Sequence, residues 1–313
     1  VTHQTADKAL ESDLGTAVIS KVVTDFCPGK DYWPCAHIEG ALALYDLEET
    51  REILSRAFRN GATGIATYNL DWGGRIRGTE DMLAAARWAY VNQIAAFYAA
   101  GKRARLPEKP KVAALYSSYS AMASYSAGIG GVYNLLGPGS GAYFRFVDDL
   151  AVERGDADLS KFPVVVAYAG PYESPRVVQK LVEAVRDHGA TLVATDPDAL
   201  RRGPDGAEIA ARKLLLGGTT FGPASRGSQV RPGPDAAGPL QRVRALRLRA
   251  GRPVHPPDGG QTLLKYADGN AACVSVPLGS GRVIWFGFNP FHGVLATIDP
   301  DAPSGFDYGE EPI

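Results

Sequence analysis

Two short stretches hold the residues best suited to chemistry. "AHIEG" at 36–40 carries His37 and the carboxylate Glu39 in a short apolar run, and "TYNLDWGG" at 67–74 groups Tyr68, Asn69, Asp71 and Trp72. A flat apolar ring beside hydrogen-bonding side chains is the mixture a carbohydrate site requires, Trp72 stacking on a sugar ring while Tyr68, Asn69 and Asp71 bond its hydroxyls. Trp33, in "KDYWPC", is a second stacking candidate. Each has an ordinary alternative: strand-end aromatics also serve as rim packing, and a carboxylate beside His37 can be a solvated or ion-paired surface group.

The elements that would position these residues alternate. A strand carries "AHIEG", Asp46 caps a helix over "LEETREILSRAFRN" with Leu47, Ile53, Leu54 and Phe58 at helical spacing, and Gly61 stops it. "ATGIATYNLDW" is the next strand, and Thr79 opens a helix that runs to Gly101. Upstream, "HQTADKALESDL" reads as a helix and the β-branched "TAVISKVVTDF" as a strand. "RARLPEKPK" is charged and proline-bearing, a domain boundary. A second alternation follows: strands at "KVAALYSS", "AYFRFVDD", "FPVVVAYAG" and "ATLVATDP", with helices at "AGIGGVYNLLG" and "SPRVVQKLVEAVRDHG". That is the pattern of a doubly wound, open parallel sheet. Past Leu200 the chain is rich in Gly, Pro and Arg, with "RVRALRLR" a weaker strand, and "AACVSVPLGSGRVIWFGFNPF" closes it as a hairpin.

Length and charge bound the classes. A chain of 313 residues suggests two domains, and 33 basic against 34 acidic residues offers no global attraction for nucleic acid or an anionic membrane. No run reaches the roughly 18 apolar residues of a membrane span, and no signal peptide is visible after Val1, although a targeting signal could lie upstream; the compartment, cytoplasmic or secreted, stays open. Cys27 and Cys35 fit either a small disulfide loop or two reduced thiols, whereas Cys273 reads as a buried small hydrophobe. No zinc-ligand spacing is present, so no metal site is expected.

Other motifs fall short of a site. The glycines of "AGIGGVYNLLGPGSG" are not spaced GxGxxG, so Asp148 and Asp149 after the next strand do not complete a dinucleotide fingerprint. The turn "AGPYES" holds no cysteine nucleophile and no His-x-Glu pair lies downstream, which argues against amidotransferase activity. Alternating Arg and apolar residues in "RVRALRLRAGR" mark a solvated strand face or a subunit interface, and His292 is a surface or core histidine that could otherwise reach a neighbour's site.

The layout as a whole resembles the rear half of a glycoside hydrolase of the family 42 beta-galactosidase type. The resemblance rests on "EETREILSRAFRNGATGIATYNLDW", on "FPVVVAYAGPYESPRVVQKLVEAVRDHGATLVATDPDAL" and on "GSGRVIWFGFNP". It implies an α/β chain in two parts: the C-terminal part of a TIM-type (β/α)8 barrel at 1–105, then a Rossmann-like, glutamine amidotransferase-like doubly wound domain at 106–313 of the kind that mediates trimerisation. "AHIEG" then looks like the seventh barrel strand, with Glu39 as the catalytic nucleophile at its C-terminal end. Trp33, His37, Tyr68, Asn69, Asp71 and Trp72 would bind the carbohydrate substrate. A retaining mechanism needs a second carboxyl about 5 Å away; in the family it follows an Asn, and no Asn-Glu pair occurs here. The acid/base is therefore expected on a missing N-terminal barrel half, either an upstream segment or a companion chain. The reaction implied is hydrolysis of a terminal glycosidic bond without metal or organic cofactor, in a homo-oligomer, a trimer being favoured. A non-catalytic, carbohydrate-binding or assembly subunit with a degenerate amidotransferase-like domain is the alternative.

Overall fold

β-Branched residues do not decide the first element. In the computed structural model, which describes residues 8–36, 47–67, 82–101, 109–123, 129–168, 170–243, 245–291 and 294–295, "TAVISKVVTDF" is not a strand: it continues the helix α1 (Lys8–Phe26). The Ser20 hydroxyl donates to Thr16 O, one turn back, at 2.7 Å, so a polar side chain is satisfied within the helix. Ala17 and Val18 are buried, and the helix packs on α2 (Leu47–Arg59). Packing of an apolar face outweighs the small intrinsic preference of Val, Ile and Thr for strands.

The chain divides into two compact units, Val1–Glu108 and Lys109–Ile313. In the first, β1 (Cys35–Ala36) and β2 (Ala66–Thr67) pair in parallel, Cys35 opposite Ala66 and Ala36 opposite Thr67, with α2 as their crossover. Ile53, Leu54, Ala57 and Phe58 line one side of α2 at helical spacing and share a core with Val91, Ile94 and Tyr98 of α3 (Met82–Ala99). The rings of Phe58 and Tyr98 stack at 4.4 Å. The Thr24 hydroxyl lies 2.8 Å from both Ser20 O and Asn60 O, which fastens α1 to the end of α2. The expected caps at Asp46 and Thr79 lie outside the described residues.

The second unit opens with β3 (Val112–Tyr116), the short helices α4 (Ser118–Met122) and α5 (Ile129–Asn134), β4 (Phe144–Asp148) and α6 (Asp149–Arg154). Then come β5 (Val164–Ala167), α7 (Pro175–Arg186), β6 (Thr191–Ala194), α8 (Arg212–Leu216) and β7 (Thr220–Phe221). The rest is mainly strands, with one 3-10 turn at Gly238–Arg242: β8 (Ser225–Pro232), β9 (Leu246–Gly251), β10 (Val254–His255), β11 (Gln261–Tyr266), β12 (Ala271–Leu278), β13 (Gly281–Phe286) and β14 (Val294–Leu295). Ten of these form one sheet in the order β14-β9-β8-β11-β12-β13-β6-β5-β3-β4. From β13 to β4 the pairs are parallel, and from β12 to β14 antiparallel, so the doubly wound sheet expected from the sequence is half of a mixed sheet.

α7 shows how closely the sequence specifies the parallel half. Ser174 caps it by accepting the Arg176 N–H, Pro175 starts it, and Val177, Val178, Leu181, Val182, Ala184 and Val185 are all buried. With Val152 of α6 and Leu215 of α8 they cover Leu115, Val165, Leu192, Val283 and Trp285. Trp285 is fully buried; its Nε1–H donates to Leu215 O at 2.9 Å, and the Arg212 guanidinium sits 5.2 Å from the ring. Cys273 on β12 is 1% exposed, the buried hydrophobe its surroundings in sequence suggest.

The predicted hairpin joins the two halves. Leu278 pairs with Gly281 across a Gly279-Ser280 loop, and Ser280 donates both its N–H and its hydroxyl to Arg186 O at the end of α7. The backbone comes so close here that a Cβ on Gly281 would stand 2.3 Å from Ala190 O and 2.5 Å from Val185 O. Backbone oxygens cannot yield as a side chain would. Gly281→Ala is therefore expected to lower stability by about 1–3 kcal/mol, the range for overpacking, seen as a lower urea midpoint at unchanged slope; an unshifted midpoint would disprove this close approach.

Candidate functional site

The parallel pair β1–β2 leads toward both stretches singled out by their chemistry. The last described residues of β1 and β2, Ala36 and Thr67, are the first residues of those stretches. His37, Glu39, Tyr68, Asn69, Asp71 and Trp72 lie outside the described residues, as does His292. Trp33 is described. Thr63 N–H donates to Tyr32 O and Tyr32 N–H to Thr63 Oγ1, both at 2.9 Å, so the segment before β1 runs beside the one before β2. The indole of Trp33 lies on the backbone of Gly64, where a Cβ would be 2.6 Å from Nε1. Two-thirds of Trp33 remains exposed, at 66%, leaving an aromatic surface open to stacking at the entrance to β1.

The second unit presents a different constellation, at the carboxyl edge of its parallel strands. In the order β4-β3-β5-β6-β13 the chain moves first to one side of β3 and then to the other. A crevice at such a reversal is where doubly wound proteins bind ligands, because helix N-termini converge there with unpaired N–H groups. Here the protein supplies the acceptors itself. Asp149 is fully buried; Oδ2 accepts the Ser118 N–H of α4 at 2.7 Å and Oδ1 the Leu150 N–H of α6 at 2.8 Å. Glu173, also fully buried, accepts the Ser174 N–H at 2.7 Å on Oε1. Glu153 accepts the hydroxyls of Ser174 and Tyr119 at 2.7 and 3.0 Å. Ser117 and Ser120 both donate to Tyr172 O at 2.7 Å, which ties the loop after β3 to the loop after β5.

The electrostatics are one-sided. Burial, then the nearby Asp149 charge, holds the Glu173 carboxyl well above its ordinary value of 4.5. Burial also raises Asp149, with Asp148 adding to the effect against the Ser118 and Leu150 donors. Tyr168, whose buried hydroxyl has no hydrogen-bond partner among the described residues, is pushed up by burial, with Tyr116 and Asp149 contributing. Glu173 Oε2 is likewise shut off from solvent, without a partner among the described residues. Burial and the proximity of the two carboxyls to each other favour retention of a proton.

Asp148 and Asp149 attract notice in the sequence as dinucleotide ligands in search of a glycine motif; the structure makes Asp149 a bridge between two helix starts and leaves Asp148 to accept the Ser118 hydroxyl at 3.3 Å. Glu173 carries a signal that sequence reading passes over: an acidic residue directly before the Ser-Pro start of a helix belongs at the helix N-terminus. Among the described residues, no group of three or more His, Cys, Asp or Glu side chains could hold a metal ion. The turn "AGPYES" contains no cysteine, and Cys273 lies on β12, its thiol pushed up by burial. Cys27 and Cys35 are free and exposed. No described helix is long and apolar enough to cross a membrane.

Fold and site together define a class: a parallel βαβ unit followed by a doubly wound sheet with an antiparallel extension and a self-filled crevice. No family model matches the chain, and no curated protein matches it. Solved structures do. Gan42B, a GH42 beta-galactosidase, superposes with a TM-score of 0.63 at 13% identity, covering 88% of this chain and 44% of that one. A catalytic mutant of Gan42B from G. stearothermophilus gives 0.68 at 12% identity, covering 92% and 45%. The chain thus has a glycoside hydrolase-like fold and spans less than half the length of the enzymes it matches. This likeness agrees with the α/β fold class inferred from the sequence.

Glu173→Gln separates the protonated carboxyl from mere packing. A folded-state value raised above the unfolded one means that the native protein holds a proton the unfolded chain releases, so the stability from this group is full below about 4.5 and declines as pH rises toward the folded value. Denaturation midpoints at pH 5, 7 and 9 are expected to fall more steeply for the parent than for Glu173→Gln, with the variant the more stable at pH 9. Parallel curves for the two proteins would show that Glu173 is ionised in the fold.

Proposed function

We propose that this chain is part of a retaining glycoside hydrolase, beta-galactosidase-like, that cleaves a terminal glycosidic bond. One observation carries the reading: about nine-tenths of the chain shares the fold of a GH42 beta-galactosidase with a TM-score of 0.63–0.68. Parallel pairing of β1 and β2 supports it, because both strands then run out at the same end of the pair, toward Glu39 and toward Tyr68–Trp72. Active sites of (β/α)8 enzymes form at that carboxyl end.

In this reading Glu39 is the nucleophile. It attacks the anomeric carbon to form a glycosyl-enzyme, while a protonated carboxyl about 5 Å away donates its proton to the departing oxygen and then takes one from the hydrolytic water. That second carboxyl belongs to a barrel segment beyond this chain, upstream or on a companion polypeptide. His37, Tyr68, Asn69 and Asp71 bond sugar hydroxyls, and Trp72 and Trp33 supply stacking faces; the open ring of Trp33 is consistent with that role. The reaction needs no metal or organic cofactor. The second unit serves assembly, with a trimer as the favoured state.

A non-catalytic carbohydrate-binding or assembly subunit is the second reading. The self-filled crevice favours it for the Lys109–Ile313 unit taken alone, since the position where related architectures hold a ligand is closed by Asp149 and Glu173. Turnover of a chromogenic β-galactoside by the complete assembly separates the two. Glu39→Gln is expected to cut kcat by roughly 10³-fold or more with KM far less affected, as for loss of a nucleophile, with unchanged circular dichroism. Undiminished turnover, or an active assembly in which Glu39 is dispensable, would reject Glu39 as nucleophile.

A further inference from the structure

The antiparallel half of the sheet has one closed face and one cationic face. Val230, Leu248, Leu264 and Tyr266 pack together on the inner side of β8, β9 and β11. Residues of the opposite parity point outward. Register sets Lys265 directly opposite Arg231, and Gln229, two residues from Arg231, opposite Arg247. Lys265, Arg231 and Arg247 are all exposed, and none has an ion-pair partner among the described residues. Like charges facing each other across a strand pair cost stability unless something acidic covers them.

The rest of the chain offers such a cover. β14 lies at the sheet edge against β9, Val294 opposite Leu248 and Leu295 opposite Arg247, so the last described residue stands beside one of the three cations. The eighteen residues that follow, "ATIDPDAPSGFDYGEEPI" at 296–313, contain Asp299, Asp301, Asp307, Glu310 and Glu311 and no Lys, Arg or His. Reach is no obstacle: β9 and β11 are two strand spacings apart, roughly 10 Å, which about three extended residues cross. Attachment beside Arg247 also gives the segment an effective concentration on the order of millimolar at this face.

We propose that the acidic segment 296–313 docks across the cationic face of β9, β8 and β11, its carboxylates pairing with Arg247, Arg231 and Lys265 of the same chain. Exposed pairs of this kind are individually weak and screened by salt, so the docking depends on several acting together and loosens as ionic strength rises. The segment neutralises a face that would otherwise attract polyanions.

Lys265 provides the handle for a direct test. Zero-length carbodiimide cross-linking of the full chain, on a mixture of light and heavy isotope-labelled copies, is read by peptide mass spectrometry. The expected products join Lys265 to carboxylates of residues 299–311 within one copy and disappear in 1 M salt. Absence of such links at low salt overturns the proposal, and links found only between light and heavy copies overturn it in favour of docking onto a second molecule. Heparin retention adds an independent reading. With the five carboxylates changed to Asn or Gln, removing Arg231 and Arg247 (to Ala) is expected to shorten retention markedly, whereas the same pair of changes in the parent has little effect. Equal losses in both backgrounds would mean that the face is never covered.

Discussion

Helix starts over a parallel sheet must find acceptors for their first N–H groups, and in the larger unit that requirement is met by buried carboxyls. Asp149 takes one N–H from α4 and one from α6, and Glu173 takes the N–H of Ser174. The geometry of three strand ends follows from those bonds: the loops after β3 and β5 are held together through Tyr172 O, and α7 begins where its cap can also reach Glu153. A phosphate in the same place would satisfy the same donors. By using its own acids the protein exchanges a ligand-binding crevice for an internal fastening, and the neutral or singly charged state of those acids is part of the fastening.

Much of this architecture can be read in the residues. α7 is written out as Ser-Pro followed by an apolar stripe, and β5 as an unbroken apolar run; the Gly-Ser-Gly hairpin fixes its own loop length. What escapes is non-local. Nothing in "TAVISKVVTDF" announces that a second helix will pack on it, so its β-branched residues mislead. The ten-stranded sheet is equally hidden, because strands such as β8 and β9 owe their place to register with β11 rather than to strong local preference. The candidate sugar site is legible only as residue types at strand ends; the order of β1, α2 and β2 supports their placement on adjacent parallel strands.

The two units use parallel strands for different ends. In the first, β1 and β2 are described over two residues each, and the helices α1, α2 and α3 carry buried apolar residues. In the second, five parallel strands are covered by α6, α7 and α8 and continued by the antiparallel half, so that its core is self-sufficient.

The hairpin between β12 and β13 also sets a timetable. β13 pairs with β6, Arg282 against Thr191, across some ninety residues of intervening chain, and no nearer segment supplies the strand that completes the parallel half. Until residues 281–286 have left the ribosome, β6 is an unpaired apolar edge and Trp285 is absent from the core it fills. Contacts of such long sequence separation fold slowly. The nascent domain therefore passes through an interval in which its most buried strands are all synthesised and still unable to close, and that interval is where chaperone demand and misassociation concentrate.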